Sequence, residues 1–357
     1  GIGTGITFGT PIVFETANTY WFSAVYDSFN QKVVIAYGET TPTGSYEGKA
    51  RVGTVDPSNN SISFGSAVVF ANTNIAYTST TYDSTNNKVV IAWRDQDGFD
   101  LRGKAIVGTV SGTSISFGSE IEFNSTDSHY TRITYDPTNQ KVVIGYQNTH
   151  QVNSIQVYYP TAIVGTVSGT SISFGTPTTI ESTLGQWITP IYDPTSQKIV
   201  IFYSDFTNSK GKAVVGTIVG TGITFGSLAT FESSPSSGVG DNSAVYDTSS
   251  NKLVNTYSYG GNGQGKSFVA TVVGTGITFG TAVDVGYGPY QSATYDSSNN
   301  KIVIAYRDDS QAGYIGRAVV YSPSALLTNY SPPSVAGHIV FDDRLQFSAT
   351  TYVGNNV

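Results

Sequence analysis

The chain has 357 residues, 39% of them hydrophobic and only 12% charged, with a net charge of -7 and a pI near 4.9. An acidic chain without a Lys/Arg run lacks the electrostatic footprint of a nucleic-acid binder or of a protein held to an anionic membrane, and no apolar run approaches the roughly 20 residues of a membrane helix. With no Cys there is no disulfide and no thiolate metal site.

The absence of Met and the start at Gly1 predict a processed product or a piece of a longer chain. Abundant Gly and Tyr, 39 and 24 residues, with Ser, Thr and Asn between short apolar runs, favour strands and turns over helices.

Residues 1–9 read Gly-Ile-Gly-Thr-Gly-Ile-Thr-Phe-Gly, a segment that returns at 220–226 and 274–280 and in the form Ser-Ile-Ser-Phe-Gly at 61–65, 114–118 and 171–175. The chain therefore opens in the last part of a repeat. Its other marker is Tyr-Asp, at Tyr26-Asp27, Tyr82-Asp83, Tyr135-Asp136, Tyr192-Asp193, Tyr246-Asp247 and Tyr295-Asp296. A period of about 54 residues belongs to propellers and other stacked arrays.

The second unit shows four runs of strand character, at 78–82, 88–93, 103–110 and 114–117, rich in Val, Ile, Thr and Tyr. Four antiparallel strands repeated six times predict an all-β fold, a six-bladed β-propeller over residues 1–321. The sixth unit supplies three strands, at 291–295, 301–306 and 314–321. Residues 5–8 would complete its blade from the other end of the chain and remove an exposed edge. Residues 322–357 leave the repeat and are expected to link to another domain or subunit.

Comparison among the six copies separates frame from function. The spacing from the Tyr of Tyr-Asp to the next Lys is the same in every copy, and the turn before the fourth strand matches in most. The loops between second and third strands, and those between blades at 120–130, 176–187 and 227–241, diverge. Alternate connections of an antiparallel blade lie at opposite ends, so the variable loops share one face, where recognition is expected.

The six Tyr-Asp aspartates resemble a catalytic or metal set but open Asp-Ser/Pro/Thr turns, in which a carboxylate accepts backbone N–H bonds, and the turn role is expected. The aromatics closing the second strands (Tyr37, Trp93, Tyr146, Tyr203, Tyr257, Tyr306) are expected between blades rather than against a sugar. On the variable face Trp21, Tyr130, Trp187 and Tyr290, with Arg94, Arg102, Arg132 and Arg307, form a candidate ligand-binding set. Rim cover and internal ion pairing are its structural alternatives. Arg132 stands where the other copies have Ser23, Ser79, Thr189, Ser243 and Ser292. Asp95, Asp97 and Asp100 flank Gly98 with the oxygen donors that calcium takes, although a solvated loop is the simpler reading.

The unit Tyr-Asp-Ser-x-Asn-x-Lys-Val-Val-Ile-Ala-Tyr, followed by Ala-Ile-Val-Gly-Thr-Val-Ser-Gly-Thr-Ser-Ile-Ser-Phe-Gly, is clearest at 82–93 and 105–118. It resembles tandem repeats of uncharacterised marine bacteriophage proteins. The resemblance implies a tail- or fibre-associated virion protein, extracellular, whose partners are a host cell-surface polysaccharide or receptor and, through residues 322–357, other virion proteins. It carries no catalytic residues. A weaker likeness is to six-bladed sialidases, but their Ser-x-Asp-x-Gly-x-Thr-Trp box is absent.

The expected function is glycan binding without catalysis. A glycan-degrading enzyme using loop carboxylates such as Glu39, Asp95, Asp205 or Asp308, and a purely architectural decoration, are the alternatives.

Overall fold

A computed structural model describes residues 9–97, 101–233, 238–260, 263–308 and 315–321. The described chain consists of strands and turns, grouped in six successive antiparallel sheets, one per repeat. The first strands are Thr19–Asp27, Ile75–Asp83, Ser128–Asp136, Gly185–Asp193, Val239–Asp247 and Ser292–Asp296. Each pairs with the strand after its Tyr-Asp turn, and that strand with the next, so the sheets follow chain order. The fold class is the all-β, six-bladed β-propeller. The fourth strand expected from residues 5–8 and the extension 322–357 lie outside the described residues.

The chain divides into two compact units. One runs to Val239 and takes in Val272–Ile277; the other holds Gly240–Thr271 and continues from Thr278. In the first unit the middle strands read as near-continuous apolar runs because both faces are covered. In Lys88–Asp95 every residue after Lys88 is buried. Full burial of side chains such as Ile91, Ile144 or Ile201 contributes about 1.5–3 kcal/mol each.

The Tyr-Asp turns are built as expected. Asp83 accepts hydrogen bonds from the backbone N–H groups of Thr85 and Asn86, both at 3.0 Å, and from Asn86 Nδ2 at 2.8 Å. Asp27, Asp136 and Asp296 repeat that three-bond set. The paired tyrosine joins neighbouring blades: Tyr135 donates to Thr85 Oγ1 at 2.6 Å, and the Tyr192 hydroxyl meets Thr138 Oγ1 at 2.5 Å.

The fourth strand differs from expectation. It continues three residues beyond its Phe-Gly as a second short segment on the same third strand. Tyr46–Asp56 carries Ser61–Phe64 on one half and Val68–Ala71 on the other. Ile121–Asn124, Thr178–Thr179, Ala229–Glu232 and Val283–Tyr287 repeat this arrangement. The blade-to-blade segments therefore begin as strand.

The glycine at the break is needed for close approach. A Cβ on Gly65, Gly118, Gly175 or Gly226 would stand 1.9–2.0 Å from the carbonyl oxygen of Thr113, Thr170, Thr221 or Thr275 in the next repeat.

The second-strand aromatics also act as expected. Tyr37, Trp93, Tyr146, Tyr203 and Tyr257 are wholly buried. A phenylalanine of the preceding repeat packs on three of them, in the pairs Phe14–Tyr37, Phe70–Trp93 and Phe123–Tyr146, with centroids 5.2–5.3 Å apart.

Candidate functional site: an aromatic arc on the variable face

Five of the first strands each carry one non-glycine residue with left-handed backbone, Trp21, Tyr77, Tyr130, Trp187 and Asp241, and Tyr290 stands two residues before the sixth, all at φ between 47° and 60°. Ladder register slips at this point in the first four blades, between Tyr20 and Ser23, Ala76 and Ser79, His129 and Arg132, and Gln186 and Thr189. The extra residue is a β-bulge that re-aims a side chain. Left-handed backbone costs an L-residue about 1–2 kcal/mol, and such strain clusters where a site demands it.

In the first unit the four bulge aromatics form a continuous arc. Ring centroids lie 4.8 Å apart from Trp21 to Tyr77, 5.3 Å from Tyr77 to Tyr130 and 4.7 Å from Tyr130 to Trp187. Trp21 is 40% exposed, and the other three are half-buried. The arc lies at the end of each sheet that carries the variable loops.

Beneath the arc is a polar clamp. His129 Nε2 bonds Asp127 Oδ2 at 2.7 Å, and its Nδ1 lies 2.7 Å from Arg94 Nη1. With Nε2–H donating to the carboxylate, Nδ1 is left to accept from the guanidinium. Arg94 Nη1 is 3.6 Å from Asp127 Oδ1, and its Cζ sits 4.8 Å from the centroid of Tyr77. Burial lowers the Arg94 pKa, while the charges of Tyr77 and Asp127 act the other way. Arg94 thus supports the arc from below and spends its charge on Asp127.

Trp21, Tyr130 and Trp187 of the sequence-derived set come together, with Arg94 under them. Tyr77, Asp127 and His129 were missed. Tyr77 had a signal, since it precedes Ser79 by the same two residues by which Trp21 precedes Ser23. His129 and Asp127 carried none, because no other repeat has them.

Arg102 lies apart, paired with Glu122 at 3.2 Å on the outer part of blade two. Tyr290, 60% exposed, holds the corresponding left-handed position just before the first strand of blade six, with Arg307 Cζ 4.7 Å from its centroid. Within that unit Asp241, the left-handed residue of blade five, accepts from the Tyr290 backbone N–H at 3.0 Å.

Arg132 is exposed on the same strand as Tyr130. At its position Ser23, Ser79 and Ser243 each accept a hydrogen bond from the next blade, from the N–H groups of Thr80, Ile133 and Ala293, at 3.0–3.2 Å. The residue facing Arg132 in that scheme is Pro190, which has no N–H to give.

The loop carboxylates are held by cations. The third strand places a cation opposite the second-strand aromatic: Lys49 against Tyr37, Lys104 against Trp93, Lys212 against Tyr203, and Arg317 against Tyr306. Each reaches the carboxylate two residues on. Lys49 is 2.8 Å from Glu39, Lys104 is 2.6 Å from Asp95, Lys212 is 2.7 Å from Asp205, and Arg317 pairs with Asp308. In blade five Lys266 instead sits 3.6 Å above the Tyr259 ring.

Burial pushes the Asp205 carboxyl up, but hydrogen bonds from Lys212 and Asn208 outweigh it and hold the carboxyl below its ordinary range. Of the calcium candidates, Asp95 is thus ion-paired, Asp97 accepts from the Asn74 N–H at 3.1 Å, and Asp100 lies outside the described residues. No cluster of three or more His, Asp or Glu able to hold a metal occurs among the described residues.

No protein-family model matches the chain, and no curated protein matches it. Among solved structures it resembles the α-L-arabinanase of Penicillium chrysogenum complexed with arabinobiose. That match has a TM-score of 0.56 at 11% identity, over 90% of this chain and 98% of that one. It also resembles a mutant of Trypanosoma rangeli sialidase displaying trans-sialidase activity, with a TM-score of 0.51 at 12% identity over 89% of this chain. The chain spans 57% of the length of that sialidase. At these identities the likeness establishes the fold alone.

Proposed function

We propose that this chain is a glycan-binding propeller. The observation that carries the reading is the arc of Trp21, Tyr77, Tyr130 and Trp187, a run of aromatic faces held in place by strained backbone. Aromatic faces offer apolar area to the C–H faces of sugars, while nearby polar groups meet their hydroxyls. Two solved structures of like fold, an arabinanase complexed with arabinobiose and a sialidase mutant, bear carbohydrate names, which supports the reading without carrying it.

Binding is favoured over hydrolysis because glycoside cleavage uses two facing carboxyls, about 5–9.5 Å apart and free to move protons. Glu39, Asp95, Asp205 and Asp308 are each committed to a lysine or arginine. Display on a phage particle, with a host polysaccharide as ligand, rests on the repeat's resemblance.

The test is a glycan array with the intact chain beside Trp187→Ala and Tyr130→Ala. Loss of a central aromatic anchor is expected to cost about 1–2 kcal/mol, roughly tenfold in Kd. Equal glycan retention by wild type and both variants would remove the arc from the argument.

A further inference from the structure

Blade three departs from the other blades in one respect. Its second and third strands, Lys141–Val152 and Ile155–Ser168, are the longest described, at 12 and 14 residues. They pair without a break to Val152 and Ile155, and Asn153 and Ser154 turn the hairpin at φ 50° and 64°. Two successive left-handed residues make the tight turn whose twist matches the flanking strands. The arm is therefore regular, and it stands beyond the rest of its sheet at the variable-loop end.

Between this arm and blade four is a cleft of about 420 Å³, open on one side and lined by Gln156, Tyr158, Ser182, Thr183, Leu184 and Thr207 among others. Its volume falls in the range of small-molecule sites. Its blade-four wall is fixed, since the Leu184 N–H donates to Thr207 Oγ1 at 3.0 Å and the Phe206 N–H to the Leu184 carbonyl at 2.8 Å.

The cleft also joins the arc. Tyr158 meets His129 edge-on with centroids 6.1 Å apart, and His129 lies 5.7 Å from Tyr77 and 6.2 Å from Tyr130. None of its lining side chains is charged. They offer hydroxyls, one carboxamide, two tyrosine rings and the apolar surfaces of Val157 and Leu184.

We infer that this cleft is a second subsite, taking an uncharged sugar residue of the same glycan that the arc holds, so that the protein reads an internal stretch of a neutral polysaccharide. The inference rests on the glycan-binding reading above and adds the cleft, the class of its occupant and the length of chain engaged. An anionic sugar would meet no cation among these lining side chains and would lie near the Glu181 carboxylate, to which Thr183 Oγ1 donates at 3.1 Å, whereas hydroxyls and apolar surfaces suit a neutral one.

The experiment is titration with neutral galactan, mannan and glucan oligosaccharides of two to six residues, beside polyuronate oligosaccharides of the same lengths. It is run on the wild type, Trp187→Ala, Leu184→Trp, which fills the cleft, and Tyr158→Ala, which opens it; thermal melts confirm that each variant folds. Affinity for a neutral series should rise with length. Both cleft variants should weaken the longer members about tenfold and leave disaccharides unchanged, while Trp187→Ala weakens every length. If the cleft variants leave long neutral chains within twofold of wild type while Trp187→Ala weakens them, or if they weaken only polyuronates, the cleft inference fails and the arc stands. If no oligosaccharide binds, the glycan-binding reading fails and takes the cleft with it; if chains bind but Trp187→Ala changes nothing, the arc is removed and the cleft, as its second subsite, falls with it.

Discussion

Replacing Lys212 with Met is the most direct probe of how the loop carboxylates are held. Lys212 bridges Asp205 at 2.7 Å and both oxygens of Glu181 at 2.6 and 2.7 Å, and the Asp205 side chain is 0% exposed. Tyr203 donates to the same Glu181 at 2.8 Å, so the lysine closes a buried network. Methionine keeps the length and apolar stem but leaves Asp205 charged and without its cation. Removing one partner of a buried pair costs about 3–5 kcal/mol. Asp205 retains the Asn208 bonds, which places the expectation at about 3 kcal/mol.

The sign with pH follows from the carboxyl. In the wild type its pKa is lowered, so its contribution is present above the ordinary Asp range and fades as pH falls through the folded value. In the variant burial acts without the lysine, the carboxyl titrates higher, and the penalty is largest near pH 7 and shrinks as the solution is acidified. Urea unfolding at pH 7.5 and pH 5 measures both effects, and Lys212→Met combined with Asp205→Asn should recover most of the loss. A single-variant loss below about 1 kcal/mol, or one that does not vary with pH, would mean that the pair is solvated and the reasoning wrong.

Two further outcomes follow from other contacts. Gly118→Ala puts a Cβ 1.9 Å from the Thr170 carbonyl oxygen and should cost at least the 1–3 kcal/mol typical of overpacking. Gly112→Ala, at φ 61° with nothing within 4 Å, should cost only about 1 kcal/mol of backbone strain, and thermal melts of the two separate crowding from conformation. Burial raises the Glu15 carboxyl, but bonds from the Thr16 N–H, Tyr37, the Ala17 N–H and Arg51 bring it from 4.5 down to about 2. Its stabilisation should be full above the ordinary Glu range and lost as pH falls toward 2, giving Glu15→Gln a flatter acid limb in denaturant titrations.

The blade plan was legible because the Tyr-Asp turn and the Phe-Gly end are fixed by local chemistry: an Asp that caps its own turn and a glycine where backbones touch. The outer half of the fourth strand was hidden by that same glycine, which reads as a strand end. Its alternating segments, such as Val68-Val69-Phe70 and Ile121-Glu122-Phe123, do recur at a fixed offset from it. The arc was half legible. Trp and Tyr announce themselves, but left-handed backbone at Tyr77 or Trp187 runs against residue preference and is imposed by the bulge. The carboxylates were misleading, because the lysine or arginine that neutralises each lies on the following strand and only the register Tyr203↔Lys212 and its equivalents brings them together.

The exchange at Arg132 and Pro190 bears on how such an array can evolve. A chain of duplicated units can ordinarily gain, lose or swap a copy, because every junction presents the same acceptor to the same donor. Here the third and fourth copies depart together, a missing hydroxyl against a missing N–H. Moving the fourth copy behind a serine-bearing neighbour would set that hydroxyl against an imino ring with no N–H to give, so the third and fourth copies are matched to one another at this junction.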